Sequence, residues 1–570
     1  MLAQAEQAGA GIPDNYRGFN EVGRKKKKIK GPNYFRLGIS ISPLRFMRET
    51  LGVFKKSTMN SNKSIFYSLL IGVLIITACK NTDKQVISDS YSYSRIDSLL
   101  SQLNKDSLFN GAFFIANRDS ISFLKTYGYS DIPKQTDLTN ETLFEIASVS
   151  KTLTATLIMK LIENGDLSLN SRLVDYFPEM PYDDITVEHL LTHTSGIPFY
   201  YDSLIVNHWG VGRQLSTDTI FMLYEKVKPI KEFKAGQKFR YSNAGFMLLS
   251  GIAEKATDKS FDELLEEYIF KPANMNSTKR DIFLSDGDDY ALGHQLSIEK
   301  GQYVPLSMHE DHHTFFDYYF KDSKGPGGIY TNMNDLWKFS LAIQHNTILN
   351  DESKKSMFTP GTLNDGSETS YGKGWQLSSS NGNQYAHHRG GSEGSNCFYF
   401  IALDEGYTYF LVSNVKTYYL SEINNQIKSI ISGEPVSKVM KSGFERISLK
   451  LSAMSQEEIE EEIAFIQQHS DQYYFALHEF NELAWKYWVE ENYEEGMKII
   501  RLATLAMPNN AGAFEVLAES YMELGNYELA IENYKTTIDM LKSDDTKKDE
   551  KWVKEWISDM ENIIGKLSEN

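Results

Sequence analysis

The stretch FEIASVSKTLTATLIMKLIENG, residues 144–165, decides the fold of the domain around it. It opens with small and hydroxyl-bearing residues and continues as a broad apolar helical pattern, and Gly165 is the residue type that commonly ends a helix. Ser148 and Lys151 are three positions apart, so a helical backbone places both side chains on one face. Burial favours the neutral form of a lysine, and a neutral amine accepts a proton. The pair therefore predicts a serine nucleophile with an adjacent base.

Two further segments have the composition of partner elements. FRYSNAGFMLLSGIAEKA opens a second apolar helix with Tyr241 and Asn243 near its start, and HHRGGSEG carries His388, Gly390 and Gly391 beside strand-like residues. A Ser-x-x-Lys spacing alone is a weak signal, because it also occurs on solvated helix faces. Three more segments complete the set: LLTHTSGIP (190–198), GPGGIYTNMNDLWKF (325–339) and YGKGW (371–375).

These elements, in this order, resemble those of the serine β-lactamase-like hydrolases, which include class C β-lactamases, D,D-peptidases and related esterases. The resemblance runs over residues 93–433. It implies an α+β fold, with an antiparallel sheet flanked by helices and a mainly helical subdomain. It also implies a serine hydrolase that needs no cofactor or metal and forms an acyl-enzyme with a small ester, an amide or a D-amino-acid-containing peptide.

The resemblance also assigns roles to the first two elements. Ser148 would attack the substrate carbonyl and Lys151 would help to take its proton. Tyr241 would relay a proton to the leaving group, and Asn243 would hydrogen-bond Lys151 and the substrate amide. A phenol serves as acid or base only where neighbouring positive charge or hydrogen bonds favour its anion, and Lys151 is the predicted neighbour.

The third element departs from the pattern of class C β-lactamases, which have lysine where this chain has His388. A histidine carries less positive charge near neutral pH, so we expect weaker binding of substrate carboxylates, and an esterase or peptidase rather than an efficient β-lactamase. Arg389 would compensate only if it points inward. Gly390 would let the strand approach the substrate, and the Gly391 N–H would pair with the Ser148 N–H as an oxyanion hole.

A second class of function stays open at this point. A domain that is acylated but never deacylated would keep the same residues and act as a non-turnover sensor of penicillin or peptidoglycan, or as a scaffold. Its helical repeats would then recruit a protein partner.

Strand-like runs lie at both ends of the domain. GAFFIANRDSISFLKTYGYS, residues 111–130, predicts a hairpin, and strand patterns return at 374–377, 396–403 and 408–412, followed by a helix at 420–431. Helical patterns occupy the middle. This order predicts one antiparallel sheet built from the two ends of the domain.

The C-terminal part of the chain has helical patterns only. We expect a linker helix region at 434–470 and helical repeats at 471–570, with a closing helix at 552–567. A period of 34 resembles tetratricopeptide repeats, a module that binds protein partners. The positions that carry it are Leu483, Ala484, Tyr487, Tyr493 and Gly496, which correspond to Leu517, Ala518, Tyr521, Tyr527 and Ala530.

The N-terminal part resembles a lipoprotein leader. Residues 59–79 read as one lysine, a short apolar run and Ile-Thr-Ala-Cys, and the apolar run is too short to span a membrane. The resemblance to a lipobox implies a lipid on Cys79 and a place in the bacterial cell envelope, facing the periplasm or on the outer membrane. Residues 80–92 would be a tether, and residues 1–58 an extension that is non-native or disordered.

Composition excludes a nucleic-acid binder. The formal charge of the 570 residues is −17, and residues 1–58 hold 12 Lys and Arg against 4 Asp and Glu, so the remainder is more acidic still. Phosphate neutralisation needs clustered basic residues, and only the run RKKKKIK at 24–30 offers them.

Three remaining signals predict ordinary packing. HEDHH at 309–313 satisfies the zinc-protease pattern H-E-x-x-H, but its polar interior and the preceding Pro305 argue against the buried helix that a metal site requires. The aromatic run at 315–320 is expected to pack in the core or in a lid. Cys397 lies in a strand-like run and is expected to be a small buried residue.

Overall fold

The protein is described from a computed structural model over residues 90–568, apart from positions 199–215, 286, 298–301, 307–323, 393, 418, 437, 449, 490–491 and 545–549. The predicted lipid anchor Cys79, the HEDHH segment and the aromatic run at 315–320 lie outside the described residues. No helix of the described part is long and apolar enough to cross a membrane.

The strands, in chain order, are β1 (Gly111–Ala116), β2 (Ile121–Tyr127), β3 (Tyr129–Asp131), β4 (Thr136–Asp137), β5 (Phe144–Glu145), β6 (Lys279–Arg280), β7 (His294–Ser297), β8 (Gln302–Pro305), β9 (Ile329–Thr331), β10 (Gln376–Ser380), β11 (Asn383–Gly391), β12 (Asn396–Ala402), β13 (Thr408–Ser413), β14 (Lys441–Ser442) and β15 (Tyr473–Tyr474).

The α-helices, in chain order, are α1 (Ser90–Lys105), α2 (Ser150–Asn164), α3 (Leu173–Tyr176), α4 (Val187–Leu191), α5 (Thr217–Val227), α6 (Asn243–Thr257), α7 (Phe261–Leu265), α8 (Met333–Gln344), α9 (Asp351–Met357), α10 (Leu420–Ile431), α11 (Gly443–Ser448), α12 (Gln456–Gln468), α13 (Leu477–Val489), α14 (Tyr493–Ala506), α15 (Ala511–Glu523), α16 (Tyr527–Ser543) and α17 (Lys551–Ser568).

The main sheet has six antiparallel strands in the order β10-β11-β12-β13-β1-β2. Its centre joins the two ends of the domain, because β1 pairs with β13 and places Phe114 opposite Phe410. This confirms the predicted sheet and the predicted hairpin, whose turn closes with the Asn117 N–H donating to the Ser120 carbonyl. Both faces are covered, which is why β1, β12 and β13 read as nearly continuous apolar runs.

Successive residues of each strand face opposite layers. Phe113 and Phe398 belong to a core shared with α1 and α10, whereas Phe114 and Tyr399 belong to a larger core that includes α2, α6 and α8. The residues of the candidate site described below lie on the side of the larger core.

Helix α2 is buried on nearly every side, as its apolar pattern predicts, and its C-terminus is capped by Gly165 in the left-handed conformation at φ 88°. Helix α6 begins at Asn243, and the Ser242 hydroxyl accepts the Gly245 N–H as its N-cap. Helix α6 therefore starts at a residue that the sequence assigned to the site, and α2 starts one residue before Lys151.

The chain divides into two units, with the boundary between Gly496 and Met497. The first contains the main sheet and continues through α13. The second holds α15, α16 and α17 around a core that includes Ala518, Tyr534 and Met560.

The C-terminal part of the chain is largely helical, as predicted. Helices α13 and α15 begin 34 residues apart, and so do α14 and α16. Membership of the tetratricopeptide family stays a prediction, as do the domain limits drawn from the sequence.

Candidate active site

Ser148 lies on a 3₁₀ turn, Ala147–Val149, between β5 and the start of α2. The helix itself begins two residues later than Ser148, so the pair spans the junction rather than a single α-helical face. Ala147 holds φ at 42°, in the left-handed region that non-glycine residues seldom adopt. Such strain concentrates at functional sites, and here it lies next to the partly exposed Ser148, just after the short strand β5.

Lys151 is fully buried and its amine is held between two oxygens. Lys151 Nζ lies 3.0 Å from Ser148 Oγ and donates to the Pro326 carbonyl at 2.9 Å. Burial places the pKa of Lys151 well below its usual value, so the neutral amine is favoured. A neutral amine that donates to Pro326 keeps its lone pair for the Ser148 hydroxyl proton.

Tyr241 also lies beside Ser148, two residues before α6. Lys151 Nζ lies 5.0 Å from the centre of the Tyr241 ring. Burial raises the pKa of Tyr241, and a hydrogen bond with Ser148 opposes that rise. The phenol is therefore protonated at neutral pH and lies beside Ser148. The structure brings Ser148, Lys151 and Tyr241 together, as the motifs predict.

Asn243 is close by but does not bond Lys151. Its Oδ1 is buried and has no hydrogen-bond partner among the residues that the structure describes. The expected bond between Asn243 and Lys151 is wrong, because the amine is taken up by Ser148 and Pro326. An unpaired buried acceptor is costly, which leaves Asn243 Oδ1 able to accept a substrate N–H.

The third element lies on β11, next to the nucleophile turn. The His388 ring is buried at 1% exposure, its Nδ1 donates to the Arg389 carbonyl at 2.7 Å, and its Nε2 accepts the Tyr371 hydroxyl at 2.9 Å. Burial lowers the pKa of His388 to about 3. His388 is thus neutral with both nitrogens occupied, and it does not present the weak positive charge expected from the sequence.

Arg389 does not compensate. Its β-sheet partner is Phe398, on the face covered by α10, whereas His388 pairs with Tyr399 on the active-site face. Adjacent strand residues point to opposite faces, so the guanidinium lies on the far side of the sheet. From the sequence, Arg389 is expected to supply positive charge only if it points into the site, and it does not.

A glycine is needed at position 390 for packing within the protein, not to make room for a substrate. A Cβ at this position would lie 2.4 Å from the Ile146 carbonyl oxygen and 2.5 Å from Cys397 Sγ. The strand therefore packs directly on the residue that precedes the nucleophile turn. At Gly391 a Cβ would meet nothing within 4 Å, so this residue borders open space. Cys397 is a free, buried cysteine, as predicted.

Two site residues were absent from the sequence-based assignment although their segments were recognised. His193 of LLTHTSGIP lies with its ring centre 4.4 Å from that of Tyr241, and the Tyr371 hydroxyl of YGKGW bonds His388. Both are buried at 1%. Their motifs were the available signal, but no local pattern shows which side chain of a motif turns inward. No cluster of metal-ligating side chains occurs among the described residues.

Comparisons with known proteins agree with this geometry. The family model described as Beta-lactamase matches residues 96–425. Penicillin-binding protein 4* of Bacillus subtilis (strain 168) is 30% identical over 347 residues, which cover 60% of this chain and 76% of that protein.

Two solved structures share the fold. The octameric penicillin-binding protein homologue from Pyrococcus abyssi aligns with a TM-score of 0.51 at 23% identity, over 61% of this chain and 78% of the other. The D-amino acid amidase from Ochrobactrum anthropi SV3 aligns with a TM-score of 0.50 at 20% identity, over 60% of this chain and 98% of the other. With its serine, lysine and tyrosine assembled at one site and more than half of its length matched by the family model, the chain belongs to the beta-lactamase family.

Proposed function

We propose that this protein is a serine hydrolase that forms an acyl-enzyme on Ser148. The observation that carries the proposal is the 3.0 Å separation of Ser148 Oγ from a fully buried lysine amine. A serine hydroxyl becomes nucleophilic when an adjacent base removes its proton, and burial makes Lys151 such a base.

In the proposed reaction, the Ser148 proton moves to Lys151 Nζ as Oγ bonds to the substrate carbonyl carbon. The negative charge on the carbonyl oxygen is stabilised by the backbone N–H groups of Ser148 and Gly391, the first of which belongs to a helical turn without an intrahelical acceptor. Tyr241 gives its proton to the departing alcohol or amine and recovers one from Lys151. Water then attacks the ester, with the proton transfers reversed, and the acid product leaves.

The third element supports a substrate with no carboxylate next to the scissile bond. Penicillins and peptide C-termini carry that charge, and a carboxylate is bound most strongly by charge-assisted hydrogen bonds from a cation. His388 is held neutral and Arg389 faces away. We therefore propose a small neutral ester or an amide as substrate, including amides of D-amino acids, with β-lactams as poor substrates.

The test compares wild-type protein with Ser148→Ala on a panel of p-nitrophenyl esters, D-amino acid amides and a chromogenic cephalosporin. Ser150→Ala is the matched control, because Ser150 is two residues away and its buried hydroxyl has no hydrogen-bond partner in the described chain. Turnover that disappears in Ser148→Ala and survives in Ser150→Ala is expected. Equal turnover in wild type and Ser148→Ala would refute the proposal.

The same panel, together with a fluorescent penicillin, tests the alternative that the protein is a non-turnover sensor. A fluorescent penicillin that labels Ser148 and stays bound, in a protein that turns over no member of the panel, would replace the hydrolase by a non-turnover penicillin-binding protein.

We further propose that the protein acts in the bacterial cell envelope, anchored by a lipid on Cys79, and that its C-terminal helices bind a protein partner. The proposal is supported by the lipobox-like sequence and by the period of 34 residues. Loss of fatty-acid labelling and of membrane retention in Cys79→Ala is expected. Unchanged labelling in that variant would contradict the anchor.

A further inference from the structure

His193 follows α4 in a tight loop and has an unusual backbone conformation. Its φ is 57°, in the left-handed region, and its ring is buried at 1% exposure. Left-handed backbone is uncommon for a residue of this size, and where it persists the surrounding contacts enforce it. The contacts of His193 include the two chain neighbours of Tyr241 and the Tyr241 ring.

His193 holds both chain neighbours of Tyr241. Its carbonyl oxygen accepts the Arg240 N–H at 2.8 Å, and its Nδ1 accepts the Ser242 N–H at 3.1 Å. Because Ser242 is also the N-cap of α6, the second bond ties the helix start to the same histidine. The backbone on each side of the phenol is thereby fixed to one residue.

The His193 ring also packs on the phenol itself. Its centre lies 4.4 Å from that of Tyr241, 4.6 Å from that of Tyr371 and 5.1 Å from that of Phe246. The Tyr241 ring therefore packs against the His193 ring, and Lys151 Nζ also lies close to it. A phenol confined in this way has little freedom to rotate away from Ser148.

Only a neutral histidine can make these contacts. A backbone N–H can only donate, so Nδ1 must be unprotonated, and the imidazolium form would lose the bond to Ser242. Burial places the pKa of His193 well below its usual value. The ring thus serves as an acceptor and a packing surface rather than as an acid.

We propose that His193 is a positioning residue that orients Tyr241 for proton transfer at Ser148. The inference rests on the proposed hydrolase function and deepens it. A displacement of about 1 Å in a reacting group costs roughly 100-fold in rate, so loss of the Ser242 bond should slow the acylation step and leave substrate binding unaffected.

Two substitutions separate the acceptor from the ring. His193→Phe keeps an aromatic ring and removes the acceptor, whereas His193→Asn places a side-chain oxygen near the position of Nδ1 and suits a left-handed backbone. We expect kcat for a p-nitrophenyl ester to fall about 100-fold in His193→Phe, with KM changed less than about threefold, and about tenfold or more of that loss to be restored in His193→Asn.

His189→Phe is the matched control. His189 Nδ1 also accepts a backbone N–H, that of Thr186 at 3.2 Å, but at the start of α4 rather than beside Tyr241. This variant should lose thermal stability to a degree similar to His193→Phe and keep the kcat of the wild type. A structural role alone would lower stability in both variants and kcat in neither.

The rate at which a fluorescent penicillin acylates Ser148 is measured in the same variants. This rate reports the positioning of Tyr241 even if the protein turns over no substrate. Equal reaction rates in wild type and His193→Phe, or no recovery in His193→Asn, would overturn the inference and leave the hydrolase intact. A wild-type protein whose Ser148 neither turns over an ester nor accepts penicillin would overturn the proposed function and the inference together.

Discussion

Gly390→Ala is expected to damage the site by moving the sheet away from the nucleophile turn. The added Cβ would lie 2.4 Å from the Ile146 carbonyl oxygen, whereas ordinary contact begins at 3.4 Å, so β11 and the turn must separate by about 1 Å. The obstacle is backbone and cannot rotate aside. Overpacking of this kind costs about 1–3 kcal/mol of folding stability, and a 1 Å misplacement of reacting groups costs roughly 100-fold in rate.

The assay measures kcat/KM for a p-nitrophenyl ester together with the thermal midpoint. Gly391→Ala is the comparison, because its Cβ would meet nothing within 4 Å and its backbone N–H is retained. We expect an effect of less than about tenfold, or 1.4 kcal/mol, for Gly391→Ala. Wild-type activity in Gly390→Ala, or equal losses in both variants, would refute the reasoning.

Three further outcomes follow from buried polar groups. Lys151→Ala should lower kcat by about 10²–10⁴-fold, and Lys151→Arg should not restore it because a guanidinium stays protonated. Because burial holds the pKa of Lys151 well below its usual value, the rise of kcat with pH should be complete well below pH 10. A rise that continues to pH 10 would contradict the neutral amine. Burial raises the pKa of the Glu479 carboxyl from 4.5 to about 8, so the folded state keeps a proton that the unfolded state releases. Folding stability, measured as the thermal midpoint, should therefore decline as the pH rises from about 4.5 to 8, and this decline should be absent in Glu479→Gln. Tyr371→Phe leaves the buried Nε2 of His388 without its donor and should cost about 1–3 kcal/mol of stability in denaturant titrations, and no loss would show that the bond is dispensable.

Much of the fold could be predicted from the sequence because local patterns carry it. The apolar series of α2 and its closing Gly165, the runs of β1, β12 and β13, and the helix at Leu420–Ile431 each follow from a few neighbouring residues. A strand was expected beside His388 and Gly390, but the extent of β11 was not predicted, because its residues alternate between a buried face and polar or glycine positions. Strand β10 begins at Gln376 rather than at residue 374.

The position of the site residues was predictable where a motif identifies them, and unpredictable where packing across the fold decides it. Ser148, Lys151 and Tyr241 converge as expected. The neutral state of His388 depends on a hydroxyl from Tyr371 and on burial, neither of which is visible in sequence.

The remaining site features depend on contacts across the fold. Gly390 is needed because the backbone of Ile146, distant in sequence, packs against it. The contacts of His193 with the backbone beside Tyr241 join segments nearly fifty residues apart. Sheet register alone, which places Arg389 against Phe398, settles that the guanidinium faces away from the site.

Covalent trapping of the nucleophile tests the account most directly. The protein is mixed with an activated ester, quenched in acid within the first turnovers, digested and analysed by mass spectrometry. An acyl group on Ser148, formed much more slowly in Lys151→Ala, is the expected result. Turnover with no adduct on Ser148, or an adduct that forms at the wild-type rate without the Lys151 amine, would contradict it.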